Sequence, residues 1–314
     1  PCAKSTGKRI AIVGGGPGGL SAAYYLQRMG HQTVVYEKRK SLGGMLRYGI
    51  PNYRLPRARL DEEIEVIKAA GVEIHTGVDI GKDIAMCDLD KEFDAVYLAI
   101  GAQTDKKVGI PGEDGENVIS AVTMLRKIGD DIMPDFKGKR VLVIGGGNVA
   151  MDVARTLKRL DNQVHIVYRR DIPNAPANKK EIAEALEEGI IFDECLAPSK
   201  CIFENHRLIG LEVEKMELIT DESSHRKMFK KTGQYQEIDC DYIVEAVGLD
   251  ADYTYLKKVL PDFFDETGWI IKEGYLKVGQ QIFFATGDYF MGASNFANAA
   301  KLAKKTVKLL EEFK

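Results

Sequence analysis

The chain has 314 residues, 45% of them hydrophobic and 29% charged, with a formal net charge of −3. A chain of this length exceeds the usual size of one hydrophobic core, so two domains are expected. The near-neutral balance gives no reason to expect nucleic acid or an anionic membrane as partner, and no apolar run reaches the ~20 residues that cross a bilayer.

The opening stretch, "PCAKSTGKRIAIVGGG", lacks a signal-peptide layout because its apolar run is short and leads straight into glycines. Ile10 to Val13 reads as a buried parallel strand, Leu20 to Met29 as a helix and Thr33 to Tyr36 as a second strand. Between the first two lie Gly14-x-Gly16-x-x-Gly19. Gly14 permits the tight turn, Gly16 lets the backbone approach a pyrophosphate, and Gly19 allows the helix to press on the strand. The helix N-terminus adds amide donors and a positive dipole. Glu37 closes the second strand, where a carboxylate accepts hydrogen bonds from adenosine ribose hydroxyls. Strand, glycine turn, helix, strand and acid in this order make a dinucleotide site.

The next stretch, "GGMLRYGIPNYRLPR" (residues 43–57), mixes a glycine pair with arginines, prolines and aromatics. Met45, Leu46, Tyr48 and Ile50 would make a poor exposed loop together. "FDAVYLAIGAQ", from Phe93 to Gln103, reads as a buried strand ending in Gly101.

The glycine device then recurs. "KRVLVIGGGNVAMDVARTLKRLDNQVHIVYRR" begins at Lys139 and carries Gly145-x-Gly147-x-x-Ala150, alanine being tolerated at the packing position. Aligning the copies sets Arg169 of "IVYRR" against Glu37 of "VVYEKR". A carboxylate there favours a free 2′-hydroxyl, whereas Arg169 and Arg170 grip a 2′-phosphate. The first site is therefore expected to take FAD or NAD, and the second NADP(H).

Beyond a Pro-rich loop, a helix carries Glu181, a candidate contact for the nicotinamide-side ribose or for the phosphate-binding arginines. Lys200 to Gln236 partly alternates apolar and polar residues, as a small antiparallel sheet does. Near the C-terminus, the strand Ile282 to Ala285 stops at Thr286-Gly287-Asp288, an acid-bearing turn able to accept from ribityl hydroxyls. A helix beginning near Ser294 follows, and its first turn offers amides to a negative flavin edge.

These parts in order resemble the pyridine-nucleotide-dependent flavoprotein module of the glutamate synthase small (β) subunit. Related modules occur in ferredoxin-NADP transhydrogenase large subunits and in dihydropyrimidine dehydrogenase. The resemblance covers essentially the whole chain: "GGGPGGL", "GGMLRYGIPNYRLPR", "AIGA...GIPGE", "GGGNVAMDVART", "VYRR", "AVG" and "ATGD". The most diagnostic is "LRYGIPxxRLP". It implies an α/β protein of two Rossmann-like, three-layer nucleotide-binding domains. The FAD domain would comprise residues 1–106 and 251–314, and the inserted NADPH domain residues 107–250.

It also implies that residues 43–57 wrap the flavin, with Leu46 and Arg47 near its ring or phosphates. Arg54 and Arg57 would balance pyrophosphate charge or lock the loop. Candidate FAD contacts are thus Gly14, Gly16, Pro17, Gly18, Gly19, Glu37, Lys38, Gly44, Met45, Leu46, Arg47, Arg54, Val78, Ala99, Gly101, Gly287, Asp288, Ser294, Asn295 and Phe296. Candidate NADPH contacts are Gly146, Gly147, Asn148, Val149, Arg169, Arg170, Glu181, Ala246 and Gly248.

The implied activity is hydride transfer between NADPH and FAD, then electron delivery to a partner subunit or acceptor. The cofactors carry that chemistry, so no catalytic side chain is nominated. His31, His75, His165, His206 and His225 have no metal-site spacing. Relatives carry an N-terminal cysteine-rich iron–sulfur domain; this chain begins where such a domain would end, as a stand-alone module or a piece of a longer protein. Its five cysteines, Cys2, Cys87, Cys195, Cys201 and Cys240, include no four-cysteine cluster set and no CxxC. That scatter suits a reducing, cytoplasmic setting and disfavours the alternative of a thioredoxin reductase. A non-catalytic flavin-binding assembly module is the third reading.

Overall fold

The apolar strands near the N-terminus show little alternation because both of their faces are covered. Ile10 and Ile12 point to one side of the strand Arg9–Val13 and Ala11 and Val13 to the other, and all four are buried. Such unbroken apolar runs belong to parallel sheets sandwiched between two layers.

The computed structural model describes residues 2–220, 227–271, 274–279 and 281–311. The chain separates into two compact units, Pro1–Thr104 with Leu249–Lys314, and Asp105–Gly248. The two crossings of the chain pair as a two-stranded ribbon, Thr104–Asp105 with Leu249–Asp250.

The first unit holds a six-stranded sheet in the order Tyr275–Val278, Gln281–Ala285, Ala95–Leu98, Arg9–Val13, Gln32–Glu37, Glu73–Thr76. All neighbours are parallel except the first two, which are antiparallel. On one face the helices Pro17–Arg28 and Phe296–Glu311 bury Leu20, Leu26, Ala303, Val307 and Leu310 against Ile10, Ile12, Tyr97 and Phe284. On the other, Val13, Val96, Leu98 and Phe283 meet Leu256, Phe263 and Tyr289. Burying each such large side chain contributes about 1.5–3 kcal/mol.

The second unit repeats the plan with a five-stranded parallel sheet, ordered Val118–Ser120, Tyr242–Glu245, Arg140–Ile144, Gln163–Tyr168, Ile191–Glu194. Helices cover one face, where Val153, Ala154, Leu157 and Ile182 pack on Val141, Val143 and Ile166. The other face is covered by a three-stranded antiparallel sheet of Leu196–Glu204, Arg207–Thr220 and Lys227–Asp239. Leu196, Leu208, Leu211 and Val213 of that sheet lie on Leu142, Ile144 and Ile243. The expected accessory sheet therefore exists, starting at Leu196 and ending at Asp239.

In both sheets the strand that leads into the glycine turn is where the strand order reverses. Its neighbours are the next strand in sequence on one side and a strand further along the chain on the other. A crevice opens outside the carboxyl ends of strands at such a switch point. No helix of the described residues is long and apolar enough to cross a membrane.

Candidate functional site

Each glycine turn sits at the carboxyl edge of its sheet, and its backbone is built to exclude side chains. Gly14 has φ +111°, donates its N–H to Tyr36 O at 2.8 Å, and would drive a Cβ to 2.3 Å from Ala99 O. Gly145, with φ +142°, donates to Val167 O at 3.1 Å and would place a Cβ 2.4 Å from Ala246 O. Ala99 and Ala246 thus occupy equivalent places in the two copies. Their carbonyls, not their methyls, demand the glycines.

At the third position the copies part. A Cβ on Gly19 would meet Gly14 O at 1.9 Å, so the helix Pro17–Arg28 rides directly on its turn. The fully buried methyl of Ala150 fills the equivalent place. Neither helix has a side-chain N-cap. Their first amides are left for a ligand or solvent.

The ends of the second strands differ most. Glu37 is buried; its Oε2 accepts from Gly15 N at 2.8 Å and its Oε1 from Arg39 N at 2.8 Å. The acid therefore braces the glycine turn while keeping lone pairs open. In the second copy Arg169 and Arg170 are exposed and make no ion pair among the described residues. There the turn is backed by Tyr168, whose ring would be met at 2.5 Å by a Cβ on Gly146. A side chain on Gly147 would touch nothing within 4 Å, so that turn opens outward. Asn148 Oδ1 accepts from Asn178 N at 2.8 Å, tying the turn to the loop before the helix Lys179–Glu187.

Two separate segments converge on the first turn. Gly43 N donates to Gly15 O at 2.8 Å, and a Cβ on Gly44 would lie 2.7 Å from Gly16 Cα. A Cβ on Gly18 would lie 3.4 Å from Gly287 Cα. Beside Gly18 is Thr286, fully buried, whose hydroxyl has no hydrogen-bond partner in the structure. An orphan buried hydroxyl beside a cradle of bare backbone and uncapped amides suits a bound dinucleotide.

The 43–57 segment forms a short helix, Met45–Tyr48, and then a turn. Met45, Leu46 and Ile50 are half-buried and Tyr48 is buried under the Arg39 guanidinium, 4.6 Å from the ring centre. Arg57 donates to Leu46 O at 3.1 Å and Ile50 O at 3.0 Å, so it locks the loop. Arg47, expected near the ring or phosphates, donates Nε–H to Leu42 O at 2.7 Å and pairs with Asp61. Its charge is already directed to the helix Arg57–Ala69 that follows the loop. Arg54 lies in the turn after Pro51, its N–H on Pro51 O at 3.0 Å.

Other candidates fall around the same edge. Val78 N donates to Glu37 O at 3.1 Å, Lys38 is exposed, and Gly101 has φ +76°. Asp288 Oδ1 accepts from Ser294 Oγ at 2.6 Å. The C-terminal helix begins at Phe296, not at Ser294, because Asn295 Oδ1 accepts from Asn298 N at 2.9 Å and caps it. Phe296 is 59% exposed. In the second unit Val149 is half-buried, and Gly248 is exposed with φ +119°.

Glu181 is placed differently from expectation. It accepts from the buried Arg155 at 2.8 Å, and Arg155 also reaches Glu184 at 2.7 Å and Glu188 at 2.8 Å. A buried guanidinium gathers the acids of the facing helix, so Glu181 staples two helices and does not meet Arg169 or Arg170. His31, His75 and His165 bond locally to Thr6, Glu73 and Asp193. His225 lies outside the described residues, and among those described no His, Cys, Asp and Glu group could hold a metal ion.

Sequence reasoning placed Thr286 in the acid-bearing turn without giving its hydroxyl a role, and missed Glu245. Glu245 ends the strand beside Ala246, is 8% exposed, and its Oε1 has no partner in the structure. Burial, reinforced by Glu113, pushes its carboxyl up to about 7 against the opposing pull of Lys107. The available signal for both was a lone polar residue at the end of an apolar strand.

The family model described as pyridine nucleotide-disulphide oxidoreductase matches residues 8–193. The beta subunit of an NADP(+)-dependent formate dehydrogenase from Moorella thermoacetica is 36% identical over 322 residues, with 99% of this chain and 44% of that one covered. A Cereibacter sphaeroides protein bearing the glutamate synthase NADPH small chain name is 32% identical over 298 residues, covering 91% and 72%. The chain spans less than half the length of the first of these. Mycobacterium tuberculosis FprA in complex with NADPH superposes with a TM-score of 0.82 at 22% identity, covering 98% of this chain and 84% of that one. That likeness shows a common fold. With its two glycine turns at two switch points and these relatives, the chain belongs to the pyridine nucleotide-disulphide oxidoreductase family, in the group that includes the glutamate synthase small chains.

Proposed function

We propose that the chain is the FAD- and NADPH-binding module of an electron-transfer oxidoreductase that feeds a partner subunit. Residues 1–106 and 251–314 hold FAD, and residues 107–250 hold NADPH. The observation that carries this reading is the contrast between the two strand ends: a buried carboxylate bracing one turn, an exposed arginine pair beside the other. When bound, FAD would supply the redox chemistry between a nicotinamide and an onward acceptor.

The chain's own residues bind and orient. The amides after Gly16 and the backbone of Gly44 and Gly287 take the FAD pyrophosphate, while Glu37 accepts from a ribose hydroxyl. Thr286 offers its unpartnered hydroxyl in the same crevice. Gly147, Asn148 and Val149 present amides to the second pyrophosphate, and Arg169 and Arg170 neutralise the 2′-phosphate. The partner is an iron–sulfur subunit or domain, a kind of acceptor that takes electrons one at a time.

A thioredoxin reductase would need a redox-active cysteine pair in the nucleotide unit. Cys201 is buried and its thiol is pushed up to about 11, and burial raises Cys195 as well. Both stay protonated at neutral pH and are poor nucleophiles. The purified chain should be yellow and should bleach rapidly when NADPH is added without oxygen. Retained colour would favour a structural flavin, and absence of any bound flavin after reconstitution would sink the reading.

A further inference from the structure

The strand Lys227–Asp239 is an outer strand: among the described residues its sheet neighbour is Arg207–Thr220 alone. Eleven of its thirteen residues are exposed. A long strand with one open edge is a template for another strand. What that other strand would be is written in its own side chains. Lys227, Lys230 and Lys231 stand at its start, Glu237 and Asp239 at its end, and Gly233 with φ +77° at its centre.

We propose that this edge pairs antiparallel with the same strand of a second copy of this chain, about a twofold axis at Gly233. Two three-stranded sheets then become one of six strands. In that register Lys227 faces Asp239 of the second copy, Met228 faces Ile238, and Lys231 faces Tyr235. Glu237 falls diagonally between Lys227 and Lys231. Opposite charges across a strand pair attract, and a lysine over a tyrosine face does so as well.

The faces of the sheet select the same register. Within one chain Met228 pairs with Ile219 and Ile238 with Leu211. The proposed pairing therefore aligns Leu211, Ile238, then Met228 and Ile219 of the second copy in a single apolar row. Moving the register by one residue would put these side chains on opposite faces. The kink of the strand also lies on the axis, because Thr232, Gly233 and Gln234 stand against Lys215 alone. Each straight half thus meets the opposite straight half. Lys231 already reaches Glu214 at 3.0 Å and Asp239 accepts from Arg140 at 3.0 Å, while Lys227, Lys230 and Glu237 make no ion pair among the described residues. A closed, self-complementary pair is also the commonest symmetry of soluble oligomers.

The test is sedimentation of the full chain at about 50 µM in low salt, with circular dichroism as the check on folding. The expected mass is twice 34.9 kDa, falling toward the monomer as salt screens the pairs. Lys227→Glu and Asp239→Lys should each weaken association at least tenfold, and the double variant should restore it to within about threefold of wild type. Met228→Lys, in the apolar row, should give a monomer that still folds. A monomeric wild-type chain would overturn the proposal, including one that instead recruits a different polypeptide. So would a dimer indifferent to Lys227→Glu, or failure of a folded double variant to recover.

Discussion

Replacing Glu245 by glutamine isolates one buried charge. The wild-type carboxyl is held near pKa 7 by burial and by Glu113, Asp114 and Asp105, with Lys107 opposing, against an ordinary 4.5. Below about pH 4.5 folded and unfolded chains both carry the proton. Between that pH and 7 the unfolded chain ionises first, so stability is lost as pH rises. Each pH unit costs about 1.4 kcal/mol, or roughly 3 kcal/mol across the interval, and above it the loss is constant. Glutamine has nearly the same volume and cannot ionise. Urea unfolding of both chains at about pH 5 and pH 9 measures the difference between them and cancels the titrations that are not coupled to Glu245. At the higher pH the variant should gain up to about 3 kcal/mol relative to wild type, compared with the lower pH. A difference between the two chains that stays flat across that range would refute the assignment of a buried, proton-holding carboxyl.

Changing Arg169 and Arg170 to serine should weaken NADPH by about 2–4 kcal/mol and leave NADH nearly untouched, read as the two dissociation constants. Gly19→Ala should expel the flavin, read as flavin absorbance per chain, because its methyl would sit 1.9 Å from Gly14 O; Ala150→Gly at the matching place should cost only about 1 kcal/mol of stability. Arg155→Met should cost up to about 3 kcal/mol in urea unfolding by removing the guanidinium that Glu181, Glu184 and Glu188 share, although Arg159 still pairs with Glu188 and Lys180 with Glu184, and part of that loss should return at low pH as the acids take protons.

Local chemistry made much of the molecule legible without coordinates. Gly14, Gly19 and Gly145 could be named because the turn has a fixed spacing, and a backbone that touches a carbonyl tolerates no side chain. Ile10 to Val13 declared a doubly covered strand because both alternating sets are apolar. The opposition of Glu37 and Arg169 followed from aligning two copies of one pattern. Roles that depend on direction were another matter. Arg47 and Glu181 are charged residues in the expected segments, but Asp61 and Arg155 claim them, and those partners lie 14 and 26 residues away. Thr286 and Glu245 look like ordinary strand-end polar residues until the layers on either side remove their water.

Neighbours along the chain dictate the repeated strand, turn and helix and the sign of charge at each second-strand end, so these are written in the amino-acid order alone. Tertiary structure alone decided which glycines converge, as Gly44 and Gly287 do on Gly16 and Gly18, and which charges are left facing outward. Packing brings together segments hundreds of residues apart, and only then does burial fix which hydrogen-bonding groups remain for a ligand.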